Sequence, residues 1–525
     1  MASPIRPRSR RWGRLASACV AVGALLLSLV ACSPASTGGA TASTGGTLLY
    51  GLDSDVPKLT TPQNQGSASM ILNAVLHRGL VQYDATGEVV PALASSWEEE
   101  AAQTFTFHLR PGLTFHDGSA LTSADVKASL EYMADPAHSA KLYTAAAGIA
   151  SIDTPDDVTV VVRLSAPDAA FLSFLADVSG AILPSETLGQ ADPTYVGAGP
   201  FQFVSYEQGT SFVVKAFDGY YDADQPKLDG IEFKIITDQT ARDNALLSGS
   251  VDAVSFVGWN SYNQVKSNSN LVLDSTEGPF MYLEFNTSGT GPFSDPRVRQ
   301  AVAYAVDRQA VVDSALAGQG KPLNGMPMPE GSAYYDAAYA DYYKQDLDKA
   351  RALLAEAGYP NGFTATMLSS SQYDFHKNTA ISVQNDLAKI GITLEMNLPD
   401  WPTRLQLGAA GDYDIAVYGT SGLTNDPSFL TQMLTPSGAQ NSSYGYDDAK
   451  LNDLLAQGRA STDETARRAL YNEVSQYVLD QAPIVTLAWR AQAYGYSTKV
   501  AGFSNIPGFL TFDSGYTLAG ASLQP

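Results

Sequence analysis

The chain has 525 residues, too many for one compact core, so two or more lobes are expected. Acidic residues outnumber basic ones 54 to 32, a net charge of −22. That argues against nucleic acid or an anionic membrane surface as an electrostatic partner, and favours a soluble, monomeric, extracytoplasmic protein.

The two cysteines, Cys19 and Cys32, both lie near the N-terminus, so the remainder has no disulfide framework, thiol nucleophile or cysteine-based metal site. Residues 1–31 read as a signal peptide. Arg6, Arg8, Arg10, Arg11 and Arg14 give a positive start, and residues 15–30 an apolar run too short for a committed transmembrane helix. Leu29-Val30-Ala31-Cys32 matches a bacterial lipobox, which implies cleavage before Cys32 and a diacylglyceryl group on its thiol. The other reading is a plain signal peptide with an incidental cysteine. Ser9-Arg10-Arg11 hints at twin-arginine export, although Gly13 and Arg14 fit that pattern poorly. Residues 32–46 are a tether of small polar residues. Residues 47–52 are the first strand of the body, and residues 53–69 a loop leaving its end.

Residues 71–135 are the most informative stretch. Ile71, Leu72, Val75 and Leu76 make a helical apolar stripe, then Leu80-Val81-Gln82-Tyr83 reads as a short strand and Asp84-Ala85-Thr86-Gly87 as a turn. Residues 104–110 alternate with period two, a half-buried strand. Thr122 or Ser123 caps a helix bearing Val126, Leu130 and Met133. The runs PALASSW, FTFHLRPGLTFHDG and LTSADV, in this order and spacing, resemble the extracytoplasmic solute-binding proteins of the peptide and nickel type (family 5), which serve ABC importers.

Further along, residues 159–164 are a strand, and Gly197-Ala198-Gly199-Pro200-Phe201 resembles a family crossing segment followed by a hairpin. Residues 280–286 are a strand leaving the first lobe. Asp295-Pro296 opens a helix with Asp as N-cap and Pro in its first turn, on which Arg297, Arg299 and Asp307 are expected to form a solvated face. DPRVRQAVAYAVDR is a second family match, and LDKARALLAEAGY a third. Residues 363–368 and 391–394 are strands, with a helix over 379–390 between them. Residues 411–418 form a strand entering a cleft loop. Helices follow around 450–457 and 466–479, and residues 483–489 are the last strand of the second lobe.

The alternation of strands and helices predicts α/β lobes. The resemblance implies a two-lobe periplasmic-binding-protein-like class II clamshell with an extra subdomain in the N-terminal lobe. Expected boundaries are 47–284 with 492–525 for lobe I, an insert near 73–194, and 285–491 for lobe II.

No nucleophile elbow, zinc-protease helix, Walker loop or dinucleotide fingerprint occurs, and the five histidines show no i, i+4 pair. No enzyme activity, cofactor or metal is therefore expected. The resemblance implies capture of oligopeptide- or dipeptide-like solutes in an interlobe cleft and delivery to an ABC permease and ATPase complex. It also implies that a ligand loop follows Tyr418. Peptide-binding relatives carry a Trp and an amine-binding Asp there; this chain has Thr420 and Leu423, followed by a matching Asp426-Pro427. That substitution, with several candidate aromatics, motivates a rival reading, a neutral solute such as an oligosaccharide; a surface receptor without a transport role is a separate alternative, since the same clamshell can signal. Aromatic candidates for stacking are Trp259, beside Asn260, with Trp401 and Trp489; each could equally pack in a core. Gln65 and Ser67 lie on the loop where relatives touch ligand backbone.

Overall fold

The computed structural model describes residues 45–56, 66–190, 195–330, 332–420, 424–436 and 443–525. Cys32, the tether, Gln65 and Leu423 lie outside the described residues.

Among the described residues, one mixed sheet of eleven strands runs through the molecule. Two long antiparallel strands, Leu271–Phe285 and Ile484–Ser497, form its middle. At one end, Ala253–Val254 continues the sheet from Ile484–Ser497, followed by Thr47–Leu52, Gly230–Ile235, Ser211–Ala216 and Phe201–Glu207. At the other end, Ile415–Thr420 joins Leu271–Phe285, followed by Phe363–Leu368 and Ile392–Asn397. Leu48, Tyr50 and Leu52 are fully buried between parallel neighbours, as strands covered on both faces must be.

The two ends of the sheet carry separate apolar cores. One is built around Leu48, Phe201, Phe233 and Tyr494, the other around Leu283, Val302, Val383 and Val474. This is the two-lobe α/β arrangement. A third core belongs to a four-stranded sheet in the order Ala94–Glu100, Thr104–Leu109, Thr159–Leu164, Ile149–Asp156. In Thr104–Leu109 the alternation expected from sequence puts Phe105, Phe107 and Leu109 inward, with Phe105 opposite Val162 and Phe107 opposite Val160. Helix Ser123–Ala134 covers this sheet, its start held by a capping box between Thr122 and Asp125. His116 ties the small sheet to the first lobe: its Nδ1 accepts from Gly197 N–H, and its Nε2 lies 3.0 Å from Gly199 O.

Several expectations change here. The strand expected over 280–286 begins at Leu271, and the one expected to end at Trp489 runs on to Ser497. Gly278-Pro279 reads as a break in sequence, but the ladder absorbs it as a bulge: Glu277 pairs with Ala491, Phe280 with Trp489. Asp295 does cap helix Pro296–Ala305. Arg299, expected on a solvated face, is instead buried, donating to the carbonyls of Phe293, Gln481 and Ala482. Helix periodicity counts Arg299 as polar, whereas orphan carbonyls at the C-terminal end of helix Glu464–Gln481 require a long donor from within the core.

Candidate functional site

The two central strands are the only described strands that run through both lobes, and their bulge sits where the lobes meet. Gly278 is required by close approach: a Cβ there would stand 2.0 Å from the carbonyl oxygen of Gly508. Alternation along Ile484–Ser497 sends Trp489 to one face and Arg490 to the other.

Beside the crossing strands, aromatic rings converge from both lobes. Trp259 donates its indole N–H to Ala491 O at 2.8 Å, which fixes it beside the crossing strand. Its ring meets Phe375 of the second lobe edge-on, with centroids 5.7 Å apart. Tyr373 lies 5.5 Å from Trp401, Trp401 lies 6.0 Å from Tyr418, and Tyr418 lies 5.6 Å from Tyr282. Trp401 starts helix Trp401–Ala410, whose N-cap Asp400 accepts from Thr403 N–H. Segments far apart in sequence thus place rings side by side, from the buried Tyr282 through the half-buried Tyr418 and Trp401 to the exposed Tyr373.

The floor under Tyr418 is charged. Arg404 donates to Glu284 at 2.6 Å and to Val417 O at 3.1 Å, and its guanidinium carbon lies 4.3 Å from the Tyr418 ring centroid. Both members of the pair are buried, their side chains 3% and 7% exposed. Burial pushes the Glu284 carboxyl up to about 7, against the pull of Arg404. Beside it, burial holds His376 down to about 3, with Arg490 and Arg404 acting in the same direction, so the imidazole is neutral at physiological pH.

Trp489, opposite Phe280 in the ladder, is 8% exposed and packs against Phe280 and Phe509. It also lines a cavity of about 900 Å³. Glu277 and Lys321 pair across that cavity at 3.1 Å, and Glu88, Glu330 and Asn425 share its wall.

Of the residues singled out from sequence, Trp259, Trp401 and Tyr418 are brought together. Trp489 is joined to Tyr418 through the rings of Phe280 and Tyr282. Ser67 donates to Asp53 at the start of helix Ser67–Leu76, and Asn260 is exposed on the turn after Trp259. Asp426 is engaged within the fold: its two oxygens take a two-pronged bond from Arg467, each 2.7 Å, and one also accepts from Ser428 N–H. A ligand amine would have to displace a guanidinium. Sequence reasoning missed Tyr373, Phe375, Glu284, Arg404 and Arg490. A signal existed for two of them: Glu284 and Arg490 are charges set within otherwise apolar strand runs, FMYLEF and TLAWRA. Among the described residues no group of His, Cys, Asp or Glu could hold a metal, and no helix is long and apolar enough to cross a membrane.

Comparison with known proteins gives a consistent picture. Residues 88–442 match the model of "Bacterial extracellular solute-binding proteins, family 5 Middle". The glutathione-binding protein GsiB of Pectobacterium atrosepticum is 30% identical over 458 residues, 84% of this chain and 88% of that protein. Among solved structures, the binding protein AgaA from A. tumefaciens R10, in complex with agropinic acid, is 40% identical with a TM-score of 0.83, covering 91% of this chain and 99% of that one. The periplasmic binding protein DppA of Helicobacter pylori, in complex with the peptide STSA, is 26% identical with a TM-score of 0.79, covering 92% and 99%.

Proposed function

This chain belongs to the bacterial extracellular solute-binding proteins of family 5, the capture components of ABC importers and not enzymes, and from that premise we propose that its solute is peptide-like. Proteins of this family work outside the cytoplasm and deliver small molecules or peptides to a permease and ATPase complex. The observation that carries the reading is the convergence of Trp259 from one lobe with Phe375, Tyr373, Trp401 and Tyr418 from the other into one aromatic face beside the crossing strands. A solute lying on that face touches both lobes, and so shifts an open–closed equilibrium by its differential affinity for the closed form. The buried Glu284–Arg404 pair holds Tyr418 from beneath and leaves its ring as the contact surface.

The relatives named above are described with a glutathione-binding role, with agropinic acid and with a tetrapeptide, which supports an amino-acid-derived solute. A second reading, a neutral oligosaccharide, is favoured by the same rings, because aromatic faces stack on sugars as readily as on side chains. Thermal shift with a pool of di- to tetrapeptides against a pool of oligosaccharides separates the two. A true ligand at one hundred times its Kd adds ~2.7 kcal/mol of stability. Trp259→Ala and Trp401→Ala are each expected to weaken binding ~10-fold or more. Stabilisation by oligosaccharides alone would replace the peptide reading with the sugar one. We also assign the protein a lipid anchor at Cys32 and a monomeric state, and a receptor role without transport is the alternative that normal uptake in a deletion strain would support.

A further inference from the structure

Arg490 occupies an unusual position. It sits in the middle of the crossing strand, paired with Gly320 on one side and opposite the Gly278-Pro279 bulge on the other, so its backbone is fixed where the lobes meet. Its guanidinium lies over Phe375 of the second lobe, 5.2 Å from the ring centroid, and Phe375 in turn touches Trp259 of the first. The side chain is half-buried, and its Nε is a buried donor with no acceptor. Among the described residues the guanidinium makes no hydrogen bond and no ion pair. The contrast with other deeply placed arginines is sharp. Arg404 has Glu284, Arg467 has Asp426, and Arg299 and Arg308 each donate to several carbonyls, although Arg404 Nε and Arg308 Nη2 are themselves buried without a partner.

The missing partner is not for want of acids, because the chain carries 54 of them. Burial alone acts on Arg490, pushing it down to about 10, with no carboxylate to oppose the shift; it is still charged at neutral pH. The neighbouring His376 is neutral and adds no negative charge. A cation held partly out of water without a counter-charge is costly, and folds remove such costs unless something else meets the charge. The guanidinium fork is shaped for a planar carboxylate, which it grips through two parallel N–H donors.

We infer that Arg490 is the anchor for a carboxylate of the captured solute, bound beside Phe375 and Trp259 at the junction of the two lobes. The inference rests on the reading of this face as the solute site and sharpens it: the solute is acidic, either through a peptide's free C-terminus or through a carboxylate elsewhere in the molecule. It disfavours the neutral oligosaccharide. Because the anchor lies on the strand common to both lobes, the carboxylate would be held in the open form, and the rings would close on the remainder.

The experiment uses the purified whole protein, wild type, Arg490→Gln and Arg490→Lys, by thermal shift. Without solute, Arg490→Gln is expected to melt above wild type, because an uncompensated charge has been removed. A lower Tm, or failure to fold, assigns the guanidinium to the fold and overturns the inference. Sodium acetate, compared with chloride at equal ionic strength, is expected to raise the Tm of wild type and not of Arg490→Gln. An equal response in both, or a larger response of wild type to phosphate, overturns it. With the peptide pool, amidation of the carboxylates is expected to weaken binding ~10- to 100-fold in wild type. Arg490→Lys, which keeps the charge but not the fork, is expected to fall between wild type and Arg490→Gln. Undiminished binding of the amidated pool overturns the inference. If neither pool binds, the peptide reading fails by itself, and the acetate arm still decides Arg490.

Discussion

Asp426 shows how a motif residue and a ligand residue can be confused. It follows the cleft loop, where an acid that binds a solute amine is expected, yet both its oxygens accept from Arg467, which is also 5.2 Å from the ring centroids of Tyr334 and Tyr471. Removing one member of such a buried pair leaves the other uncompensated. Asp426→Ala is therefore expected to cost ~3 kcal/mol or more in urea unfolding, with solute affinity per folded molecule unchanged. Lost affinity at full stability would restore the ligand role. The titrating groups make a second expectation. Burial holds His77 and His376 down to about 3, well below 6.5, so the unfolded chain takes up protons first as pH falls. Their contribution to stability is present above 6.5 and drains away as pH falls toward 3. Glu284, raised from 4.5 to about 7, runs the other way, with its contribution complete below 4.5 and lost as pH rises through 7. The histidine share, to which the lowered His116 adds, predicts a fall in Tm from pH 7 to pH 5 that Glu284 and the raised Asp513 partly offset. That fall should be smaller in His376→Gln, and an undiminished fall in the variant would show that His376 is not its source.

The crossing strands set the geometry at the next scale. Proline within a strand pattern normally demotes it, so a reading from sequence starts the strand after Pro279. The ladder instead tolerates Gly278-Pro279 as a bulge, because two residues there oppose the single Arg490. The bulge lies upstream of the lobe boundary expected at residue 284. Gly278 packs against backbone that Asn425 also holds, through bonds to Pro507 O and Phe509 N–H. Gly278→Ala must therefore push one chain away from the other. It is expected to destabilise the protein by ~1–3 kcal/mol in chemical denaturation and to weaken solute binding by disturbing lobe approach. A variant as stable as wild type would mean that this contact yields freely.

For the whole molecule, the proposed lipid anchor and the cleft are separate in sequence. Tether residues 33–46 are small and mostly polar, so nothing in them competes for the cleft. Acyl burial supplies ~0.8 kcal/mol per CH₂, and more than one chain holds a protein stably at a bilayer. Cys32→Ala is accordingly expected to move the protein from the membrane pellet to the soluble fraction with calorimetric affinity unchanged. Retention in the pellet would show that the uncleaved apolar segment or a partner is holding it, and that the lipobox reading is incomplete.

The family, the α/β character and the position of most helices and strands were legible in the sequence, because they depend on near-neighbour patterns. Alternation in residues 104–110, the Asp295-Pro296 start and the capping box at Thr122 are decided within a few residues. The face of the site was not legible. Whether Trp259, Trp401 and Trp489 stack on a solute or pack in a core depends on which rings from distant parts of the chain meet beside the crossing strands, and no local pattern states that. Charge was harder still. Arg299, Arg404 and Arg490 are the same residue type in similar apolar surroundings, and only the tertiary structure supplies carbonyls to the first, a carboxylate to the second and nothing to the third. A side chain's chemistry is written in the sequence; whether its charge is already answered depends on neighbours that folding brings from far along the chain.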